Sequence, residues 1–109
     1  MKILTSEWFS IGNISKYPEN EAILVEDTPF GILVVVYQNS VHNILSGICT
    51  HEDYELGGAP IQDGQLTCML HMSSFDLKSG KALDPPADLP LKVFISKVEK
   101  DIVYVKKQE

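Results

Sequence analysis

Four residues in the middle of the chain have the types and spacing of metal ligands. They occur as Cys49-Thr50-His51 and Cys68-Met69-Leu70-His71, with sixteen residues between His51 and Cys68. Each segment offers one thiolate and one imidazole, so the two together present two sulfurs and two nitrogens. The chain has no other cysteine. Its third histidine, His42, stands apart from the set and reads as an ordinary strand or surface residue. A cysteine taken singly is more often a small buried hydrophobe than a ligand. It is the four together that point to metal.

Two kinds of site use such a set. One is a single tetrahedral Zn²⁺ with two sulfurs and two nitrogens. The other is a [2Fe–2S] cluster whose thiolates hold one iron and whose imidazoles hold the other. Zinc fingers usually pair Cys with Cys and His with His, as C-x₂₋₄-C and H-x₃₋₅-H. Here each segment pairs Cys with His. Two facing loops of that kind sort into a sulfur end and a nitrogen end, which suits two different irons. A disulfide between the two cysteines is the weaker reading, because Met1 to Ser10 lacks the apolar run of a signal peptide.

The elements that must position these loops read as β. Ala22–Glu26 and Phe30–Tyr37 are rich in Val, Ile and Leu, with Asp27-Thr28-Pro29 as the turn between them. Gln38-Asn39-Ser40 is a second turn and Val41–Leu45 a third strand. Leu91–Val98 and Ile102–Val105 flank Glu99-Lys100-Asp101 as a late hairpin. Trp8 and Phe9 belong to an N-terminal strand packed on this core. No stretch of a dozen residues has helical period.

Between Gly47 and Pro90 the text changes. Gly57-Gly58, Asp63-Gly64 and Ser79-Gly80 mark turns, and Asp84-Pro85-Pro86 marks a rigid loop. Such a stretch is expected to bury little apolar surface and to take its order from a metal. The length of 109 residues suits one domain. Its expected organisation is a β base, residues 1–46 and 87–109, with a loop-rich insert over 47–86.

Composition narrows the partners. A net charge of −6 argues against nucleic acid, which needs clustered Lys and Arg, and against anionic membrane surfaces. The longest apolar run, Ile32–Tyr37, is too short to cross a bilayer. A cytoplasmic protein whose acidic surface meets a basic docking face is the expectation. Solubility alone would account for the same charge.

The segment resembles the Rieske proteins, whose signature is C-x-H, a spacer of about this length, and C-x-x-H. The likeness extends to Leu56 and Gly58 after the first loop and to Phe75, Asp76 and Gly80 after the second. Asp84-Pro85-Pro86 resembles the family's proline loop over the cluster. Pro90-Leu91-Lys92-Val93-Phe94, leading into Ile95–Val105, resembles the closing strands of the ferredoxins that serve aromatic-ring dioxygenases. Many members have Gly after the second His, where this chain has Met72; some ring-dioxygenase ferredoxins carry a large apolar residue there. The extra cysteine pair of the high-potential respiratory branch is missing, which places the chain with the ferredoxins.

The resemblance implies an all-β Rieske fold, an antiparallel sandwich or incomplete barrel with an inserted cluster-binding subdomain. It implies one [2Fe–2S] cluster, with Cys49 and Cys68 on the inner iron and His51 and His71 on the outer iron near the surface. Neutral imidazoles leave the oxidised core uncharged, so the potential lies within about −150 to +300 mV. Ser73 falls where high-potential relatives place a Ser hydroxyl on the cluster. Phe75 falls at their Tyr position and has no hydroxyl, so the lower half of the range is expected. Ser73 has a plain alternative: satisfying a loop backbone group.

Exposed histidines imply electron exchange at that end. Tyr54, Leu70, Met72, Pro85 and Pro86 form a candidate apolar docking patch, with Glu52 and Asp53 as its charged rim. The chain reads as a monomeric carrier and not an enzyme. It has no G-x-G-x-x-G for a nucleotide, and His42 alone cannot complete a 2-His-1-carboxylate iron site. The implied partners are a flavin-dependent NAD(P)H reductase and a terminal oxygenase. The alternatives are a redox subunit of another oxidoreductase, such as a nitrite reductase small subunit, and a zinc-stapled interaction module.

Overall fold

A computed structural model describes residues 8–50, 54–69, 72–83 and 89–108. Among the described residues nine strands follow in chain order: β1 (Phe9–Asn13), β2 (Ala22–Thr28), β3 (Gly31–Gln38), β4 (Val41–Ser46), β5 (Ile61–Gln62), β6 (Gln65–Cys68), β7 (Ser73–Asp76), β8 (Val93–Glu99) and β9 (Ile102–Lys107). Six of them form an antiparallel sheet in the order β1-β9-β8-β4-β3-β2, and β5-β6-β7 form a second, smaller one. The edge strands β1 and β2 touch, so the large sheet is nearly a closed barrel. The fold is all-β, as the resemblance implied. Among the described residues no helix is long and apolar enough to cross a membrane.

Tight turns set the registers. Asn39 and Ser40 join β3 to β4, Asp63 and Gly64 join β5 to β6, and Lys100 and Asp101 join β8 to β9. All six residues have positive φ. Two left-handed residues in succession match the twist of a hairpin, and Asn, Asp and Gly adopt that conformation most readily. The β2–β3 connection differs from the expected one. β2 continues to Thr28 through a bulge with Asp27 at φ 63°, so the turn falls on Pro29 and Phe30. The Thr28 hydroxyl holds it by donating to the Gly31 carbonyl.

Strand β3 explains the long apolar run. Leu33, Val34, Val35 and Val36 are all fully buried. Successive side chains point to opposite faces, so a strand buried on both sides reads as continuous hydrophobe. Leu33 and Val35 enter the barrel interior with Ile11, Tyr17, Ile44, Val103 and Val105. Val34 and Val36 point the other way, into a second core with Leu45, Leu56, Leu66, Phe75 and Leu77. The expectation that the middle of the chain buries little apolar surface is therefore corrected. Leu56, Leu66 and Phe75 are completely buried there, because short strands with one inward face cover the outside of β3 and β4.

His42 also differs from its sequence reading in part. It lies on β4, but its ring is buried, stacked on Tyr37 with centroids 4.5 Å apart and edge-on to Tyr17 at 5.9 Å.

Candidate metal centre

Both cysteines stand at the base of a backbone-closed loop. The first loop leaves β4 through Gly47, whose N–H donates to the Ile32 carbonyl at 2.9 Å. A side chain at Gly47 would press on Ile32 and the Leu33 backbone at about 3.0 Å, so a glycine is what lets the chain turn off β3 there. The Cys49 N–H then donates to the Tyr54 carbonyl at 2.9 Å, and Ile48 pairs with Glu55. The loop between Cys49 and Tyr54 is thus pinched shut at its stem.

The second loop joins β6 to β7. Cys68 and Ser73 face each other across the ladder, and the Met72 N–H donates to the Cys68 carbonyl at 2.7 Å. That closure puts Met72 at φ 62°, a conformation that costs a residue with a side chain about 1–2 kcal/mol. The familiar glycine would avoid the cost. Opposed residues project to the same face, so Leu66, Cys68, Ser73 and Phe75 share one face of β6–β7, and all four are at most 1% exposed. Thr67 and Ser74 occupy the other face, their hydroxyls 3.3 Å apart.

The proline-containing segment 84–88 lies outside the described residues, but both of its stems are placed. Leu83 N–H donates to the Ser74 carbonyl at 2.7 Å, just after the second loop. The Thr50 hydroxyl, between the ligand candidates of the first loop, donates to the Leu89 carbonyl at 2.7 Å. Leu91 N–H donates to the Gly80 carbonyl at 2.8 Å. Each stem is therefore tied to a different candidate ligand loop. Behind them, Asp76 accepts from the Ser79 N–H, the Ser79 hydroxyl and the Lys78 N–H. These bonds, the Ser79 N–H first among them, hold its carboxyl below the usual carboxylate range.

The sequence of residues 7–95 matches the Rieske [2Fe-2S] domain. The chain belongs to the Rieske family. This Rieske domain is 39% identical over 57 residues to the ferredoxin component of biphenyl 2,3-dioxygenase from Rhodococcus jostii, a match covering 52% of this chain and 53% of that one. It is 23% identical over 103 residues to the ferredoxin component of the naphthalene 1,2-dioxygenase/salicylate 5-hydroxylase systems of a Ralstonia species, covering 94% of this chain and 98% of that one. Its fold matches the ferredoxin-containing complex of reduced oxygenase and oxidized ferredoxin in carbazole 1,9a-dioxygenase with a TM-score of 0.83, at 24% identity, over 94% and 97% of the two chains.

Membership of the Rieske family implies an iron–sulfur cluster, and the described half of the donor set fits one. Cys49 and Cys68 are both buried, 4% and 1% exposed, in the same core cluster. Both sulfurs lie deep, whereas Thr50 and Met69, the residues that follow them, are half-buried and exposed. His51 and His71 lie outside the described residues, as do Glu52, Asp53, Leu70, Pro85 and Pro86. Of the expected docking patch, Tyr54 and Met72 are placed, and both are exposed. Sequence reasoning missed Met69, Leu83 and Leu89, which are exposed beside the same loops. Their signal was present: Met69 sits between ligand candidates, and Leu83 and Leu89 flank the proline segment.

Proposed function

We propose that this Rieske domain is a one-electron carrier holding a single [2Fe–2S] cluster, with Cys49 and Cys68 on the inner iron and His51 and His71 on the outer iron. When bound, the cluster supplies reversible one-electron chemistry within about −150 to +300 mV. The observation that carries the reading is the pair of buried cysteines, each at the stem of a closed loop, in a chain of this family. The working unit would be residues 47–86, seated on a base of 1–46 and 87–109.

The chain's own residues keep water from the sulfur end. Leu56, Leu66 and Phe75 surround it with completely buried apolar side chains. Burial of the sulfurs sets the local dielectric, one of the levers on potential. Ser73 is fully buried opposite Cys68, which supports its role as a hydroxyl that tunes the centre. Phe75, across from Leu66 on the same face, adds bulk and no donor.

Contact with partners would use the nitrogen end. Met69, Met72, Leu83 and Leu89 join Tyr54 as an exposed apolar rim around the loops, with Leu70, Pro85 and Pro86 expected within it and Glu52 and Asp53 at its edge. An apolar centre with a polar margin is the usual anatomy of a transient interface. Relatives named as ferredoxin components of dioxygenase systems, and a solved ferredoxin–oxygenase complex, support a terminal oxygenase as acceptor. The donor would be a flavin-dependent NAD(P)H reductase.

The test is chemical and spectroscopic. Natively purified protein should hold two irons and two acid-labile sulfides per chain and give a rhombic EPR signal only after reduction. Colourless protein with one zinc per chain and no iron would overturn the proposal. Ser73→Ala should lower the midpoint potential while leaving iron content unchanged; an unmoved potential removes Ser73 from the account.

A further inference from the structure

The charge of the chain is divided unevenly. Residues 1–88 carry twelve carboxylates against four lysines, whereas residues 89–108 carry five lysines against Glu99 and Asp101. Two of those lysines, Lys92 and Lys107, line an open groove of about 830 Å³. Its apolar walls include Phe30 and Phe94, half-buried rings with centroids 5.4 Å apart and planes tilted by 45°. Ile48 and Thr50 form the end nearest the first ligand loop. No described carboxylate lines it. In a protein of net charge −6, this is a local basic and aromatic surface.

The groove is built, not incidental. Ser46 N–H donates to the Lys92 carbonyl, and Lys92 N–H donates to the Ser46 hydroxyl, which fixes the start of β8 against the end of β4. Thr50 ties the other margin to Leu89. The walls are therefore held by three separate parts of the chain, and the β2–β3 turn at Pro29 and Phe30 closes the side.

We propose that this groove is a docking site for a carboxylate-rich segment of a partner protein that seats an aromatic side chain against Phe30 and Phe94 and pairs with Lys92 and Lys107. It rests on the electron-carrier reading for one point only, that the segment belongs to a redox partner. Three features favour a protein segment over a small molecule. The groove is open along its length, while small ligands are largely enclosed by their sites. Both ammonium groups are exposed, and exposed ion pairs are individually weak, so an anion alone would gain little. The groove is also continuous, through Thr50 and Leu89, with the apolar rim around the ligand loops. A partner seated on that rim would reach the groove without moving. An aromatic anchor that becomes buried in its partner's pocket on binding supplies much of the energy of such contacts.

The test uses the isotope-labelled full-length holoprotein and three probes: an acetylated, amidated Asp-Glu-Phe-Asp-Glu peptide, its Asn-Gln-Phe-Asn-Gln counterpart, and sodium benzoate. The acidic peptide should give saturable shifts at the amides of Phe30, Phe94 and Lys107. Affinity should fall about tenfold for the neutral peptide and for a Lys92→Glu/Lys107→Glu variant, and stay within about twofold for Lys97→Glu/Lys100→Glu on the same hairpin. Absence of saturable shifts at those amides overturns the proposal. So does equal binding of the two peptides, equal loss in both variants, or benzoate binding as tightly as the acidic peptide, which would make the groove a small-anion site. Dithionite reduction followed by EPR on the same samples reads the carrier function separately. A working redox cycle without peptide binding sinks the groove alone; binding without a redox cycle sinks the carrier reading and leaves the groove.

Discussion

The barrel core and the core beneath the ligand loops contain residues buried to the same extent, yet they are held together differently. In the barrel, Leu33, Val35, Ile44, Val103 and Val105 sit on strands of six to eight residues with long regular ladders. Backbone groups there are satisfied mostly by strand pairing, with a few side-chain bonds such as the Tyr17 hydroxyl to the Ile11 carbonyl. The core beneath the loops takes one wall from β3 and β4 and the other from strands of two to four residues. Its remaining backbone bonds cross loops, as with Leu77 N–H to Gly64 and Leu91 N–H to Gly80. Two of its buried side chains are thiols. On the proposed ligation, the barrel is expected to stand on strand pairing without a ligand, whereas the second core holds the two cysteines that would bind metal.

The largest expected effect follows from removing that partner. A Cys49→Ser/Cys68→Ser variant loses the cluster and leaves two buried hydroxyls, each costing about 1–3 kcal/mol if unpaired. Hydrogen exchange should show amides of β5, β6 and β7 losing most of their protection while β3 and β9 keep theirs. Uniform loss across both sheets would break the distinction between the two cores.

Legibility in the sequence follows the same division. The barrel strands were readable because Val, Ile and Leu run between turns built on Asn, Asp and Ser, and local pairing decides them. The smaller sheet was not. Gln65–Cys68 and Ser73–Asp76 are each four residues long and mostly polar in letter, and only their pairing across the second loop makes Leu66, Cys68, Ser73 and Phe75 one inward face. The cysteines were visible from their spacing, and their burial from nothing local. The end of β2 was misread because Asp27 looks like a turn residue. It supplies the left-handed conformation of a bulge instead, and Thr28 makes the hydrogen bond that moves the turn onward. Thr50 could not be singled out, since its partner Leu89 lies 39 residues away.

The seam between the two regions gives the next effect. Gly80 has φ +76°, and a Cβ there would meet the Leu91 carbonyl oxygen, an impossible approach that forces backbone movement. Gly80→Ala therefore costs the left-handed penalty and loosens the Leu91 N–H bond, together about 3 kcal/mol. Denaturant unfolding should show that loss. If the barrel is the more independent region, iron release to a chelator should accelerate more than the exchange of β3 amides. Equal acceleration would mean that the seam couples the two cores into one unit.

The smallest effect sharpens the comparison from the barrel side. His42 is 7% exposed, packed between Tyr17 and Tyr37, and its Nε2 has no hydrogen-bond partner among the described residues. Burial holds its pKa below the ordinary value of about 6.5. Between the ordinary value and the lowered one, unfolding takes up a proton at this residue. Stability from neutral His42 is thus fully present above about pH 6.5 and is lost as pH falls through the folded value. His42→Phe should keep the stacking, lie within about 1 kcal/mol of the wild type at neutral pH, and decline less on acidification. Histidines of the ligand loops contribute equally to both proteins, so the difference between their urea-unfolding curves isolates His42. Because its ring belongs to the barrel and not to the loops, the difference should persist in the Cys49→Ser/Cys68→Ser background. If it disappears there, the barrel's stability depends on the second core and the cysteines it holds after all.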